Sequence, residues 1–257
     1  MIKAIFLDFD GTTYSHNLGG IPNSTYKALK KVKEKGILTF LCTGRAYSEL
    51  EWFDLSKLDI DGIIVSNGQL AFDKNHNIIY SRPIEGILKE KLVEIFKQKK
   101  HPMHISTADD IYMSFVNDVV VVVQNAISSK IPDIKEYQGE EFYMASIYID
   151  RNSRTDDLDE LAKYGEITFW HKDACDIVPK GVSKSTGIDL VCQKYNIDVK
   201  DTLAVGDGEN DIAMLERCGV GVAMGNSTQA VKEISDYITD DIDNDGLFKA
   251  FKYFKLI

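Results

Sequence analysis

The chain has 257 residues, 44% of them hydrophobic and 27% charged, so it can form one or two domains with a substantial buried core. Its 40 Asp and Glu against 30 Lys and Arg give a formal charge of −10, which argues against a nucleic-acid partner bound through its phosphates. The chain opens on a strand-like segment rather than a signal peptide and has no apolar run long enough to span a bilayer, so we expect a cytoplasmic protein with no membrane partner.

Two carboxylates follow the first predicted strand. Residues 4–7 are continuously apolar, which is typical of a strand buried on both faces of a parallel sheet. Asp8 and Asp10 come next and point to the same side, because side chains alternate along a strand, and Gly11 permits a sharp turn. Ligands bind beyond the carboxyl ends of such strands, and two close like charges need a cation or a proton between them. The segment therefore predicts a reactive site, the alternative being a turn that merely ends a strand.

The next elements predict a parallel α/β unit followed by a hairpin. A helix-start signal at residues 21–25 opens a helix that runs to Lys35, and residues 37–42 form a second buried strand. A strand, a helix and a strand at this spacing form a βαβ unit with a right-handed crossover. Residues 63–65 predict a third strand, 66–68 a turn, and 70–72 with 78–80 a hairpin.

The character of the sequence changes near Pro83 and changes back near Pro179. Between them we predict helices at 86–99 and 156–164 and strands near 103–105, 111–113, 144–149 and 166–170. Five consecutive valines at 119–123 favour a strand, but the length of the apolar segment through Ile127 also suits a helix. After Lys180, predicted helices at 185–195 and 211–218, strands at 202–205 and 220–224 and a final Lys-rich helix restore the α/β alternation.

We therefore predict an α/β protein with a Rossmann-like parallel-sheet core and an inserted α+β cap domain. The core comprises residues 1–82 and 180–257, and the cap comprises residues 83–179. Prolines at both crossings are consistent with a hinged insertion.

A second acidic cluster follows the strand at 202–205, in the segment Gly206-Asp207-Gly208-Glu209-Asn210-Asp211. If this strand lies beside the first, the cluster faces Asp8 and Asp10. Hard oxygen ligands that leave room for water and substrate suit Mg²⁺, and several carboxylates without a cation would repel one another. A helix cap explains Asp211 by itself but not all three acids.

Two further segments offer groups that bind a phosphate. Thr43 and Gly44 follow the second strand and present a hydroxyl and backbone N–H groups, which hold a phosphoryl group without adding negative charge. Lys184 opens a predicted helix where the chain returns from the insert. A lysine at a helix start is more often a solvated surface residue and is unfavourable to the helix dipole, but its place at the inferred site favours a functional role.

Together these segments resemble the four motifs of the haloacid dehalogenase superfamily, in order and at the expected strand ends. The motifs are Asp8-x-Asp10-Gly11-Thr12, Thr43-Gly44-Arg45, Lys184, and Gly206-Asp207-Gly208-x-Asn210-Asp211. The insert between the second and third motifs is similar to the C2-type cap of the Cof-type phosphatases, so the resemblance covers the whole chain. One departure is Thr13, where the family commonly has an apolar residue.

The resemblance implies a Mg²⁺-dependent phosphatase of small phosphorylated metabolites that forms an aspartyl-phosphate. Asp8 would be the nucleophile, and Asp10 the general acid and then the general base. Mg²⁺ would be held by the carboxylates of Asp8 and Asp207 and the backbone carbonyl of Asp10, with Asp211 in a supporting position. Thr43, Gly44, Lys184 and Asn210 would bind the phosphoryl oxygens, and Arg45 would contact the leaving group or brace its loop.

Several other functions remain open at this stage. A phosphomutase on the same scaffold would return the phosphoryl group to a sugar, and a non-catalytic sensor would bind a phosphorylated ligand without turnover. Dehalogenation is disfavoured because that branch lacks the second acid, here Asp10, and a receiver domain would be about half this length.

Two further patterns call for a structural rather than a functional interpretation. Residues 241–246 match the start of an EF-hand loop, but Lys252 stands where the loop needs a bidentate Glu, which favours a solvated turn over a calcium site. The four cysteines form no C-x-x-C pair and lie mostly in apolar stretches, so we expect buried free thiols in a reducing compartment.

Overall fold

A computed structural model describes residues 1–127, 129–153 and 155–257 of the chain. The strands are β1 (Ala4–Leu7), β2 (Leu38–Cys42), β3 (Gly62–Val65), β4 (Leu70–Asp73), β5 (Ile78–Ser81), β6 (Met103–Ser106), β7 (Ile111–Met113), β8 (Asp133–Ile134), β9 (Met144–Ile147), β10 (Gly165–His171), β11 (Ala174–Pro179), β12 (Thr202–Gly206), β13 (Val220–Ala223) and β14 (Tyr237–Ile238). The helices are α1 (Asn23–Glu34), α2 (Tyr47–Leu50), α3 (Gly86–Gln98), α4 (Asp118–Ala126), α5 (Asp156–Leu161), α6 (Lys184–Tyr195), α7 (Ile212–Arg217), α8 (Gln229–Glu233) and α9 (Gly246–Tyr253). Among the described residues, none of these helices has the length and apolar character needed to cross a membrane.

The contacts divide the chain into two compact units. The first unit comprises Met1–Gly44, Phe53–Ser81 and Ser183–Ile257, and the second comprises Arg45–Trp52 and Arg82–Val182. Each unit contains one sheet and its own hydrophobic core.

The first unit is built on an eight-stranded sheet in the order β14-β13-β12-β1-β2-β3-β4-β5. Its pairs are parallel from β14 to β3, and β4 and β5 add an antiparallel hairpin at one edge. The predicted βαβ unit and the predicted hairpin are both confirmed. All four residues of β1 are fully buried, because the strand lies in the middle of the sheet and is covered on both faces.

This strand order determines where the functional side chains meet. β1 lies between β12 and β2, and β2 pairs in parallel with β3. Because parallel strands end at the same edge, the residues that follow them are brought together there. Asp8 follows β1, Thr43 follows β2, and Asp207 follows β12.

The second unit contains a six-stranded sheet in the order β10-β11-β9-β6-β7-β8. The valine-rich segment 119–123, for which the sequence allowed either a strand or a helix, lies in the helix α4. The Asn117 side chain caps this helix by accepting a hydrogen bond from the Val120 backbone N–H at 3.2 Å. Sequence reasoning missed β11, because its Cys175-Asp176 step interrupts the apolar run. In the structure β11 pairs with β9 and β10, and the Asp176 carboxylate accepts a hydrogen bond from the Ser146 hydroxyl at 2.6 Å.

All four cysteines are buried and free, as predicted: Cys42, Cys175, Cys192 and Cys218. Burial raises the pKa of the Cys218 thiol to about 12, so the neutral thiol is the stable form. These side chains behave as small apolar core residues, and three of them pack in the hydrophobic core of the first unit: Cys42, Cys192 and Cys218.

A close backbone approach joins the end of β3 to the start of α6. Residues Ser66–Gly68 form a 3₁₀ turn in which Gly68 has φ of 100°, and a Cβ atom there would lie 2.2 Å from the Ser183 carbonyl oxygen. Ser183 caps α6, and its backbone N–H donates a hydrogen bond to the Thr186 hydroxyl oxygen at 3.2 Å. Only glycine allows this approach, and it places Lys184 at the first position of the helix.

Gly68→Ala should therefore destabilise the protein through a backbone clash as well as through an unfavourable φ. Gly36→Ala is the matched control, because Gly36 has φ of 72° but a Cβ there meets no atom within 4 Å. We expect the control to cost about 1 kcal/mol and Gly68→Ala to cost at least about 2 kcal/mol more, measured by thermal and chemical unfolding. Equal losses for the two variants would contradict this account of the joint.

Candidate active site

The site is centred on a buried lysine that forms ion pairs with two carboxylates, so that three segments of the chain meet there. The Lys184 Nζ donates to Asp8 Oδ1 at 2.5 Å and to Asp211 Oδ1 at 2.6 Å, and the lysine is only 1% exposed. Asp8 itself is held at the end of β1 by a backbone hydrogen bond from its N–H to the Val205 carbonyl at 2.9 Å. The predicted lysine is therefore an interior residue in contact with the first acid, rather than a solvated residue at a helix start.

The loop after β12 is folded around the Asp211 carboxylate. Asp211 Oδ2 accepts hydrogen bonds from the backbone N–H groups of Asp207 and Gly208, both at 2.9 Å, while its Oδ1 accepts from Lys184. With both oxygens engaged, Asp211 holds the loop and the lysine in place. This arrangement explains why a fully buried acid is tolerated at that position.

Asp207 is oriented by two neutral donors. Its Oδ1 accepts from the Thr12 hydroxyl at 2.7 Å, and its Oδ2 accepts from the Asn226 side-chain amide at 3.2 Å. A Cβ atom at Gly11, whose φ is 79°, would lie 2.3 Å from Asp207 Oδ2, so glycine is required there for the two strand ends to approach.

The carboxylates of Asp8, Asp207 and Asp211 have oxygen atoms that all lie within 4.8 Å of one another. Burial, and next the charge of Asp211, raise the pKa of Asp8 well above its ordinary range against the opposing effect of Lys184. Burial, and next Asp211, likewise raise the pKa of Asp207 to about 7. Burial disfavours the charged form of Lys184, but the carboxylates of Asp211 and Asp8 outweigh it and raise the pKa of the ammonium.

The charge balance of this cluster fits a divalent cation. If all three carboxylates are ionised, their charge exceeds that of the one ammonium by two, and their oxygens are the hard donors that Mg²⁺ prefers. Because Asp211 already accepts three hydrogen bonds, the oxygens of Asp8 and Asp207 are better placed to hold an ion. The residues present therefore fit a metal ion of this class.

Asp10 is not one of the three clustered carboxylates, and its environment is more open. Its Oδ1 lies 2.8 Å from Nε2 of His16, and about a third of each side chain is exposed. Thr13, the departure from the expected apolar residue, is buried, and its hydroxyl donates to the backbone carbonyl of Asp8 at 2.7 Å. That bond satisfies the extra hydroxyl and also braces the backbone that carries Asp8.

The predicted phosphate-binding groups lie beside Asn67, which sequence reasoning treated only as part of a turn. The Asn210 side-chain amide donates to Asn67 Oδ1 at 3.2 Å, and a Cβ at Gly44 would meet that same oxygen at 3.1 Å. Thr43 is buried, and its backbone carbonyl accepts from the Asn67 N–H at 3.1 Å. The structure thus brings Thr43, Gly44 and Asn210 together around Asn67.

Arg45 belongs to the second unit and pairs with residues of that unit. Its guanidinium lies 3.7 Å from a carboxylate oxygen of Glu49 and donates to the Ser129 hydroxyl at 3.3 Å. Whether Arg45 contacts the leaving group or braces its loop stays a prediction.

Asn67, Asn226 and His16 are the polar contacts of the site that sequence reasoning missed. Asn67 and Asn226 both follow strands of the parallel sheet, β3 and β13, so the strand-end rule that identified the acids would also have found them. The contact of His16 with Asp10 depends on how the loop after Gly11 folds back, which no local pattern reveals.

Sequence comparison identifies relatives that match the chain over nearly its full length. The sequence profile of the haloacid dehalogenase-like hydrolases matches residues 5–251. The candidate phosphatase YkrA of Bacillus subtilis is 32% identical over 261 residues, which span 99% of this chain and 98% of YkrA. The 5-amino-6-(5-phospho-D-ribitylamino)uracil phosphatase YcsE of the same organism is 28% identical and covers 99% of this chain and 96% of its own.

Solved structures agree with the sequence comparison. The phosphatase BT1666 of Bacteroides thetaiotaomicron superposes with a TM-score of 0.90 at 30% identity, over 100% of this chain and 96% of that one. The subclass IIB sugar phosphatase BT4131 superposes with a TM-score of 0.86 at 30% identity, over 99% of this chain and 100% of that one. The family profile, the full-length relatives and the shared fold together show that this chain belongs to the haloacid dehalogenase-like hydrolases.

Proposed function

We propose that the protein is a Mg²⁺-dependent phosphatase that hydrolyses phosphate monoesters of small metabolites, such as sugar phosphates or phosphorylated cofactors, through an aspartyl-phosphate. The observation that carries this proposal is the Asp8 carboxylate, which lies at the end of β1 within 2.5 Å of Lys184 and within 4.8 Å of an oxygen of Asp207. This arrangement supports the proposal because the proposed nucleophile, a buried ammonium and the carboxylates that would hold a metal lie at the same edge of the sheet.

In the first step an Asp8 oxygen attacks phosphorus, and the bond from phosphorus to the ester oxygen breaks. Asp10 donates its proton to the departing alkoxide, which leaves as an alcohol. In the second step Asp10, now ionised, accepts a proton from a water molecule that attacks the aspartyl-phosphate and releases phosphate. The partial exposure of Asp10 supports this assignment, because the group that exchanges protons must reach the leaving alcohol and water.

The remaining residues bind the phosphoryl group and offset its charge. Thr43, the Gly44 N–H and the Asn210 amide are neutral donors around Asn67, and Lys184 supplies a fixed positive charge. The carboxylates of Asp8 and Asp207 and the Asp10 carbonyl would hold Mg²⁺, which would supply the rest of the charge neutralisation. Phosphoryl transfer depends mainly on such positioning and electrostatic stabilisation, which suits rigid donors at strand ends.

The inserted segment of residues 83–179 is proposed to act as the cap that selects the leaving group. It supplies the six-stranded sheet of the second unit and the helices α3, α4 and α5. The sugar phosphatase BT4131 and the phosphatase YcsE, which acts on a phosphorylated ribitylamino-uracil, support a small phosphorylated metabolite as the substrate. Released phosphate without an isomerised sugar would exclude a phosphomutase, and any turnover would exclude a non-catalytic sensor.

Asp8→Asn should reduce phosphate release by about a thousandfold or more, because the amide that replaces the carboxylate is a poor nucleophile. The assay is a phosphate-release screen over phosphorylated metabolites with Mg²⁺. Glu209→Gln is the matched control, since Glu209 is an exposed acid of the neighbouring loop and should keep wild-type activity. Undiminished turnover by Asp8→Asn would overturn the mechanism.

Metal binding should be visible in stability without any substrate. Mg²⁺ at about 100 times its Kd should stabilise the wild-type protein by about 2.7 kcal/mol relative to protein in EDTA. Asp207→Asn should lose most of this shift, yet be at least as stable as wild type in EDTA, because it removes one of three crowded carboxylates. Its amide can still donate to Thr12 and accept from Asn226.

The readout is the melting temperature with EDTA and across a Mg²⁺ titration, with Glu209→Gln as the control that retains the shift. A full Mg²⁺ shift in Asp207→Asn would remove Asp207 from the metal site.

A further inference from the structure

The loop that follows Gly11 places His16 beside Asp10, the proposed general acid and base. His16 Nε2 lies 2.8 Å from Asp10 Oδ1, and an ionised carboxylate can only accept, so the ring nitrogen donates in that state. The His16 ring also packs edge-on against Tyr14, with centroids 5.3 Å apart. The imidazole is therefore held by both a ring contact and a polar contact.

The backbone on both sides of His16 is closed into a tight loop. Ser15 and Gly20 exchange backbone hydrogen bonds of 2.9 and 3.1 Å, and the Gly19 N–H donates to the His16 carbonyl at 3.3 Å. The Ser15 hydroxyl also accepts from the Leu18 N–H at 3.1 Å. These bonds limit the positions that the His16 side chain can take.

The Asp243 carboxylate connects this loop to a distant segment of the first unit. Asp243 Oδ1 accepts from the Ser15 hydroxyl at 2.5 Å, and Oδ2 accepts from the Asn17 amide at 2.8 Å. The two bonds grip the residues immediately before and after His16. They also lower the pKa of Asp243 from its ordinary value, so the anchor is ionised near neutral pH.

The anchor is itself connected to the proposed metal site. Asp243 lies in the 3₁₀ turn Ile242–Asn244, and the Ile242 N–H donates to Asn226 Oδ1 at 3.1 Å. The amide nitrogen of Asn226 donates in turn to Asp207 Oδ2. This connection accounts for the EF-hand-like segment 241–246, whose Asp243 side chain is used to hold a loop.

We infer that His16 is a positioning residue that orients the Asp10 carboxylate for proton transfer, and that Asp243 holds His16 in place through Ser15 and Asn17. This inference rests on the proposed function, in which Asp10 is the general acid and base. By fixing Asp10 Oδ1, His16 limits rotation of the carboxylate and keeps its second oxygen in one direction. The effect is confined to steps in which Asp10 moves a proton.

The leaving group of the substrate separates this role from a merely structural one. An alkoxide from a sugar phosphate needs a proton to depart, whereas p-nitrophenolate departs without one. His16→Ala should therefore lower kcat/KM for a sugar phosphate that the screen finds to be turned over by roughly 10- to 100-fold. For p-nitrophenyl phosphate, kcat/KM should change by less than about threefold, while kcat falls if the water step limits turnover.

Two substitutions distinguish the hydrogen bond from the ring contact. His16→Phe keeps a ring against Tyr14 but has no donor, so it should behave like His16→Ala. His16→Gln places an amide N–H near the position of Nε2 and should recover most of the lost kcat/KM. Equal losses on both substrates, or full activity in His16→Phe, would overturn the inference.

Asp243→Ala tests the anchor. It should reduce kcat/KM for the sugar phosphate in the wild-type background and have little further effect in the His16→Ala background, because it acts through His16. Additive losses in the double variant would contradict the anchoring role. If Asp8→Asn is inactive but the His16 variants lose the same activity on both substrates, only the role of His16 is contradicted. If phosphate is released without Asp8, the proposed function is contradicted as well.

Discussion

The buried ammonium of Lys184 is the interaction on which the rest of the site depends. It lies within 2.6 Å of carboxylates from two other segments, one at the end of β1 and one in the loop after β12. Removing one partner from a buried ion pair typically costs about 3–5 kcal/mol, because a desolvated charge is left uncompensated. The pair therefore ties the start of α6 to the parallel sheet, and it also brings a cation to the atom that we propose attacks phosphorus.

The site contains more acidic than basic groups, so the binding of a cation would reduce the repulsion between its carboxylates. The three carboxylates of Asp8, Asp207 and Asp211 outnumber the single ammonium of Lys184, and burial strengthens the repulsion between them. A fold that only needed stability would place apolar residues here. The unfavourable crowding of carboxylates is explained if the site binds a divalent cation and then a phosphoryl group. The negative charge of the phosphoryl group would be balanced by the metal and the lysine, and its oxygens would accept from the neutral donors at the other strand ends.

The fold and the acidic site could be predicted from the sequence because both follow from local patterns. Continuous apolar runs mark buried parallel strands, and the polar residues just beyond them identify one edge of the sheet, so Asp8, Thr43 and Asp207 were found without any tertiary information. The valine-rich helix α4 could not be assigned, because β-branched residues favour strands while the Asn117 cap and tertiary packing favour a helix. His16 reaches Asp10, six positions earlier, only because the loop folds back, and Asp243 lies more than 200 positions from Ser15 and Asn17. No sequence period reports either pairing.

The central claim is that Asp8 becomes phosphorylated during turnover, and its most direct test is acid-quench trapping in the first turnover. Wild-type enzyme is mixed with a sugar phosphate and Mg²⁺ and is quenched in acid. The phosphorylated residue is then located by peptide mass spectrometry. The account predicts an acid-stable, base-labile acyl phosphate on Asp8 that forms before free phosphate appears and is absent from Asp8→Asn. Phosphate release without any adduct, or with an adduct on another residue, would contradict it.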